Sequence, residues 1–353
     1  MSGKIRVLLA GYGLAGRFIH GALLRALSAD FEVAAVLERT PGDAAAEFPA
    51  ARIVRDLDAA LAAARELGAE LAIVATPTAL HAAHARAFLE AGLHVLVDKP
   101  AGLDHAEVRA TADAAAVAGR LFAPFHNRRH DSDFLSLREV LASGRLGRVV
   151  AFEARWDRFR PAPKTGAWRE EGGPGSGVLL DLGPHLVDQT LLAFGTPRSV
   201  AASVRSERGG KSDDAFELLL HYEEFECRLG SSSLGAFPGA RFHLRGTAGS
   251  WLKRGIDPQE APLRAGKLPG GADWGLEAEN ERGELISLAA DGSPVFERTE
   301  AGRGDWRRFY RELGAALRGE GEPPATAEDA LRVARVLDLA RGSSARGGTP
   351  LEF

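Results

Sequence analysis

The chain has 353 residues, 45% of them hydrophobic, enough for two domains that each bury a core. Its 44 basic and 48 acidic residues leave a net charge of -4 without a long single-sign block, which argues against nucleic acid or an anionic membrane as partner and favours a small, weakly charged molecule. The single cysteine, Cys227, excludes an intrachain disulfide framework, and no stretch is apolar enough for a signal segment or a membrane span, so a soluble, unprocessed, cytoplasmic protein is expected.

Over residues 1–125, six apolar runs (IRVLLA, VAAVL, RIV, LAIVA, HVLV and RLFAP) alternate with helix-like stretches such as DAALAAARELGA. Apolar runs separated by helices predict a doubly wound α/β parallel sheet covered on both faces, the layout of a Rossmann-type domain. The stretch IRVLLAGYGLAG sets Gly11, Gly13 and Gly16 in G-x-G-x-x-G spacing between a strand and a helix. There the first glycine permits the turn, the second admits a pyrophosphate, the third lets helix and strand pack, and the helix N-terminus offers N–H groups. Tyr12 and Leu14 lie within the same turn and are expected at the cofactor. The next strand ends at Glu38, 22 residues after Gly16, where an acid can accept from ribose hydroxyls and repel a 2′-phosphate. Arg39 beside it can pair with that phosphate, so the balance leans to NAD with NADP as the alternative.

Thr76, Pro77 and His81 follow the strand in AIVATPTALH and are expected beside the cofactor. His81 and His84 are three apart without a carboxylate in a ligand pattern, so no metal is expected. HVLVDKPAGL then puts Asp98, Lys99 and Pro100 at the carboxyl end of a parallel strand, the edge where such sheets bind ligands. A solvated loop lysine is the plain alternative.

His126, Asn127 and Arg128 fall at the end of the sixth strand, with Asn127 and Arg128 favoured as substrate ligands. After about residue 145 the pattern becomes VVAFEARW, SVAASVR, AFELLLHY, ECRLGSSS and ARFHLRG, strands with few helices between them. Residues 126–353 are therefore expected to form an α+β domain for substrate binding and oligomerisation, with a large, open, mostly antiparallel sheet. Residues 254–283 read as a long loop. DWRRFYRELGAALRG and TAEDALRVARVLDLARGSS read as two final helices, the second opened by Thr326 and Asp329 in a near capping box and free to pack back on the first domain. A sheet with an uncovered face suggests a homodimer or homotetramer.

Alternation on FEARWDRF points Arg155 and Asp157 the same way, where substrate hydroxyls are expected, while Arg160 and Trp168 lie in the following loop. Each also reads as a surface salt bridge or a packing anchor. In GSGVLLDLGPHLVDQ, Asp181 stands four residues before His185. Pro184 is best tolerated in a first turn, which predicts a helix starting near Leu182 or Gly183 with Asp181 near its N-cap. A helix cap followed by a surface histidine is the plain alternative.

GYGLAG, VDKP and GVLLDLGPHLVDQ together resemble the family of glucose–fructose oxidoreductase and inositol dehydrogenase, and the resemblance runs through the C-terminal PPATAEDALRV. FHNRRHDSDFLSL, WDRFRP, WREEGGPGSG and PHLVDQ are similar, more narrowly, to the subgroup of bacterial scyllo-inositol dehydrogenases. The resemblance implies hydride transfer between a nicotinamide and a cyclitol or sugar carbinol, with Lys99, Asp181 and His185 at the reacting centre. Asp98 departs from the commoner Glu of the Glu-Lys-Pro motif, and Pro184 interrupts the Asp-x-x-x-His stretch.

Alcohol oxidation asks for the same residue types: a base near neutrality takes the hydroxyl proton while the carbon gives up hydride. Histidine, with an unperturbed pKa of about 6.5, suits that task. Asp181 would orient the ring or hold a second hydroxyl, and Lys99 would stabilise the alkoxide. An NAD-dependent glycoside hydrolase working by transient oxidation and a non-catalytic dinucleotide-binding regulator are the alternatives; the regulator predicts loss of the trio, which this chain retains.

Overall fold

The computed structural model describes residues 3–164, 166–237, 239–300 and 302–353, which form two compact units. The first takes the chain through Asn127 and adds Gln259–Trp274 and Trp306–Ala334; the second takes Arg128–Pro258, Gly275–Asp305 and Arg335–Phe353. Two of the C-terminal segments thus fold with residues made much earlier.

In the first unit the six apolar runs become strands β1 (Ile5–Ala10), β2 (Phe31–Leu37), β3 (Arg52–Val54), β4 (Leu71–Val74), β5 (His94–Val97) and β6 (Phe122–Pro124). They are all parallel, in the order β3-β2-β1-β4-β5-β6, the Rossmann arrangement. Leu8, Ala10, Ala72 and Val74 face one apolar cluster, while Val7, Leu9, Leu71 and Ile73 face another. Burial on both faces explains why these strands read as continuous apolar runs. Ligands bind such sheets beyond the carboxyl ends, where the order reverses between β1 and β4.

Local signals set the connecting helices. Asp56 and Asp104 cap Leu57–Leu67 and His105–Ala118 by accepting from Ala59 and Glu107 N–H, each at 2.8 Å. Gly68 and Gly119 end them in left-handed conformations. The helix Ala327–Ser344 opens on the expected reciprocal box: Thr326 N donates to Asp329 Oδ2 at 2.9 Å, and Asp329 N to Thr326 Oγ1 at 3.2 Å. The 254–283 stretch is not wholly a loop, because Glu260–Arg264 forms a short helix whose Leu263 is buried in the first unit's core with Trp274.

The second unit is built on β7 (Val149–Arg155), β8 (Ser199–Arg205), β9 (Ala215–His221), β10 (Glu226–Ser232), β11 (Phe242–Gly246), β12 (Gly249–Lys253), β13 (Glu284–Leu288), β14 (Pro294–Arg298) and β15 (Leu351–Glu352). These make one nine-stranded sheet, β14-β13-β12-β11-β7-β10-β9-β8-β15, in which, among the described residues, only β7 and β10 pair in parallel. The helix Val178–Phe194 lies on one face, with Phe194 against Phe152 at 5.0 Å between ring centroids. Among the described residues no helix is long and apolar enough to cross a membrane.

Candidate active site

The glycine turn has the shape that its spacing requires. Gly11 adopts φ +102°, and a Cβ there would stand 2.4 Å from Ala75 O; one on Gly16 would stand 2.0 Å from Gly11 O. Side chains are therefore excluded at both positions, while an added Cβ at Gly13 meets nothing within 4 Å. The chain then enters a helix whose first part, Gly16–Gly21, is π-helical. Tyr12 Oη donates to Glu47 at 2.8 Å and Arg17 Nε to the same carboxylate at 2.6 Å, fixing the turn to the short helix Ala44–Glu47 that follows β2. Burial and the Glu47 bond push the Tyr12 phenol upward. Leu14 remains 45% exposed at the mouth of the turn. The open approach at Gly13 and the buried, unbonded Thr76 Oγ1 fit NAD(P), whose pyrophosphate would face the turn.

Glu38 is buried at the end of β2, where it pairs with Arg55 at 3.3 Å, and Arg39 is exposed beside it. After β4, Thr76 and Pro77 lead into the buried His81. Its Nδ1 lies 2.7 Å from Pro100 O and its Nε2 2.8 Å from Thr76 O, so the ring bridges this turn to the one carrying Lys99. Asp98 follows β5 and accepts from Lys99 N–H at 2.8 Å, and the Lys99–Pro100 peptide is cis. Behind this edge His20 is fully buried, with Nδ1 at 2.7 Å from Tyr310 Oη. Burial, opposed by the Asp98 charge, lowers the His20 pKa to about 4.

In the second unit the reactive stretch forms one helix, but it does not start where the proline suggests. It runs from Val178, so Asp181 lies within the first turn and Pro184 lies inside the helix. The sequence-based start near Leu182 is thus corrected, and the reason is distant in sequence. Asp213 supplies the cap: its Oδ2 accepts from Leu179 N at 2.7 Å and its backbone O from Val178 N at 3.0 Å. With its first N–H groups satisfied from outside, the helix extends past a proline that forfeits a backbone bond.

Asp181, His185, Asp188 and Gln189 share a face of this helix. Arg158 and Arg169 reach the Asp181 carboxylate at 3.3 and 3.5 Å. The His185 ring, 5% exposed, lies 5.9 Å from the Trp156 ring. Around that indole stand the guanidiniums of Arg128, Arg241 and Arg158, at 4.2, 5.2 and 5.6 Å from its centroid. Farther along, Arg129 forms a bidentate pair with Asp188, and Gln189 bonds Arg128 O at 2.9 Å and Arg241 at 2.7 Å. Asp181, His185 and Arg128 are therefore gathered around a tryptophan that sequence reasoning did not select.

Other expected ligands are placed differently. Arg155 and Asp157 do point together, but they flank Trp156, which packs on the helix face, so alternation puts them on the opposite face. There Arg155 bonds Asp157 at 2.9 Å and Glu217 at 2.8 Å. Arg160 is exposed in a ribbon in which its N–H donates to Ser233 O at 2.7 Å. Trp168 is half-buried under the Arg169 guanidinium, 4.4 Å from the ring. His126 and Asn127 are buried where the first unit's N-terminal part ends. Arg158 and Arg169 were present in WDRFRP and WREEGGPGSG, but Asp213 gave no local signal. Among the described residues no group of three or more His, Cys, Asp or Glu is placed to hold a metal.

Comparison with known proteins agrees with the two-part fold. Residues 5–126 match the oxidoreductase family model for an NAD-binding Rossmann fold, and residues 138–353 match the same family's C-terminal alpha/beta domain. The chain is 36% identical to the uncharacterized oxidoreductase YdgJ of Escherichia coli over 96% of each chain. It is 33% identical to the scyllo-inositol 2-dehydrogenase (NADP(+)) IolW of Bacillus subtilis, over 96% of this chain and 94% of that one. The solved structure of Bacillus subtilis YvaA superposes with a TM-score of 0.94 at 31% identity, covering 100% of this chain and 99% of that one. The chain belongs to the Gfo/Idh/MocA family, the family of glucose–fructose oxidoreductase and inositol dehydrogenase, as an NAD(P)-binding oxidoreductase of a hydroxyl-bearing substrate.

Proposed function

We propose that the protein transfers hydride between NAD(P) and a ring carbinol of a cyclitol or sugar, with Lys99, Asp181 and His185 acting on the substrate. The observation that carries this reading is the helix face on which Asp181 and the nearly buried His185 stand one turn apart, steered by Arg158, Arg169 and Trp156. NAD(P), when bound, supplies the hydride acceptor for oxidation or the donor for reduction. His185 accepts the proton leaving the hydroxyl oxygen as the carbon becomes a carbonyl, and returns it in the reverse direction. Asp181, held by the Arg158 and Arg169 guanidiniums, bonds a neighbouring hydroxyl or the imidazole. Lys99 stands on a turn whose backbone is fixed by the His81–Pro100 and Asp98 bonds, and its ammonium stabilises negative charge on the reacting oxygen.

A small polyol such as scyllo-inositol, for which the relative IolW is named, is the first compound to assay. Steady accumulation of reduced cofactor with inositol isomers or free aldoses is expected. Release of sugar from a glycoside without net reduction would instead support the hydrolase, and nucleotide binding without turnover the regulator. We also propose self-association through the uncovered sheet face, where Ile286, Leu288 and Phe296 stay exposed; sedimentation showing only monomer at micromolar concentration would refute it.

A further inference from the structure

The Asp181 carboxylate is gripped at both oxygens, Oδ2 by Arg158 at 3.3 Å and Oδ1 by Arg169 at 3.5 Å. Arg158 comes from the ribbon that prolongs β7, where its N–H donates to Ser232 O at 2.9 Å. Arg169 has a different support, the strap of residues 166–177 that leads into the reactive helix. Residues 166–174 of this strap are all half-buried or exposed, so no apolar core holds them. The Arg169 side chain is itself 46% exposed, and an ion pair so open to water contributes too little to order a loop. The strap is held from elsewhere.

The loop between β8 and β9 supplies the clamp. Arg208, whose side chain is 6% exposed, directs its three guanidinium nitrogens to three different segments. Nε donates to Asp214 Oδ2 at 2.8 Å in its own loop, Nη1 to Arg160 O at 3.0 Å in the ribbon, and Nη2 to Glu170 Oε2 at 3.2 Å in the strap. The Asp214 carboxylate, 2% exposed, also accepts from Glu207 N at 2.7 Å and Arg208 N at 3.1 Å, so the guanidinium stands on a fixed base. Gly172 N adds a bond to Ser212 Oγ at 3.0 Å. A planar fork of charged donors, nearly out of water, is suited to a three-way junction of this kind. Glu170 is the chain neighbour of Arg169, and Asp213 in the same loop caps the helix that carries Asp181. One loop therefore sets both the carboxylate and the arm that grips it.

We propose that Arg208 is a positioning residue for the reaction: its ion pair with Glu170 locks the strap, the strap keeps Arg169 on Asp181, and Asp181 thereby offers an oxygen in fixed orientation to the substrate. The proposal rests on reading Asp181 as a substrate-binding carboxylate. Arg208 itself touches neither Asp181 nor His185 through any of these bonds, so its effect is on substrate binding and not on the proton that His185 moves.

The test compares the full-length wild type with Arg208→Gln, Glu170→Gln and the double variant, by hydrogen–deuterium exchange and by steady-state turnover of scyllo-inositol, other inositol isomers and free aldoses with NAD and NADP. Glu170→Gln breaks only the strap contact and leaves Arg208 on Asp214 and Arg160, so it stays informative even if Arg208→Gln folds poorly. In each single variant the amides of Glu170 and Gly172 are expected to exchange about tenfold faster while those of β10 stay protected. KM for the polyol should rise about tenfold with kcat within about threefold of wild type, the loss expected of one charge-assisted bond. The double variant should be no worse than either single, because both act through one contact. Unchanged exchange or unchanged KM in Glu170→Gln overturns the proposal, and so does a fall in kcat at constant KM. A wild type that turns over none of these compounds overturns the reaction reading beneath it, so the two failures are distinguishable.

Discussion

Asp213 accepts from the N–H of Leu179 at 2.7 Å and so fixes the first turn of the helix that aims Asp181 and His185. A loop acid ahead of β9 thereby sets where the reactive pair begins. Asp213→Ala is expected to destabilise the fold by about 1–2 kcal/mol, the usual worth of a cap, and to lower kcat more than it raises KM. Asp213→Asn, which keeps an accepting oxygen, should recover most of both in urea unfolding and steady-state assays.

Lys99→Ala and His185→Ala are each expected to cut kcat by roughly 10²–10⁴-fold, the range for a lost proton-transfer or charge-stabilising group. Nucleotide affinity, read by fluorescence titration, should change little in His185→Ala. Normal turnover in both variants would refute the assigned roles.

Gly13→Ala and Gly16→Ala should behave oppositely. The first places its methyl in open space, so melting should be unchanged while nucleotide binding weakens. The second drives a methyl to 2.0 Å from Gly11 O and is expected to cost about 2 kcal/mol or more. Calorimetric melting beside nucleotide titration separates the two.

Burial lowers the His20 pKa from its ordinary value to about 4, so the folded state prefers the neutral ring. The stability this contributes is fully present above pH 6.5 and is lost as pH falls toward 4. Between pH 7 and pH 5 the wild type should lose roughly 2 kcal/mol more than His20→Phe, measured by urea unfolding. Equal losses would place the pH response elsewhere.

Asp133 and Arg241 are both completely buried, joined at 2.8 Å, and Arg241 continues to Gln189 on the His185 helix. Asp133→Ala leaves a buried guanidinium without its counter-charge and is expected to cost about 3–5 kcal/mol. Thermal melting of Asp133→Ala beside the double variant Asp133→Ala/Arg241→Met should show partial recovery in the double.

Much of the first unit was legible because burial on both faces of a parallel sheet writes strands as apolar runs, and because Asp56, Asp104, Gly68 and Gly119 mark helix ends locally. The second sheet's alternation showed that Arg155 and Asp157 share a face but not which one. That depended on Trp156 turning toward the helix. The start of the Val178–Phe194 helix was misplaced because its cap comes from residue 213, beyond any local window. Glu38 was recognisable as the acid after β2, but its capture by Arg55 required the β2–β3 register.

Trp306, Phe309, Tyr310 and Leu313 pack in the same apolar cluster as Ile5, Val7 and Leu9. The first unit therefore cannot complete its own interior until residues as far along as Leu313 have been synthesised. A fragment ending after β6 would expose that cluster, making it a substrate for chaperones and proteases instead of a free-standing nucleotide-binding module. The nucleotide fold and the segment that supplies His185 are consequently inherited as one translational product, and a nonsense mutation just ahead of Trp306 would disable the first unit along with the second.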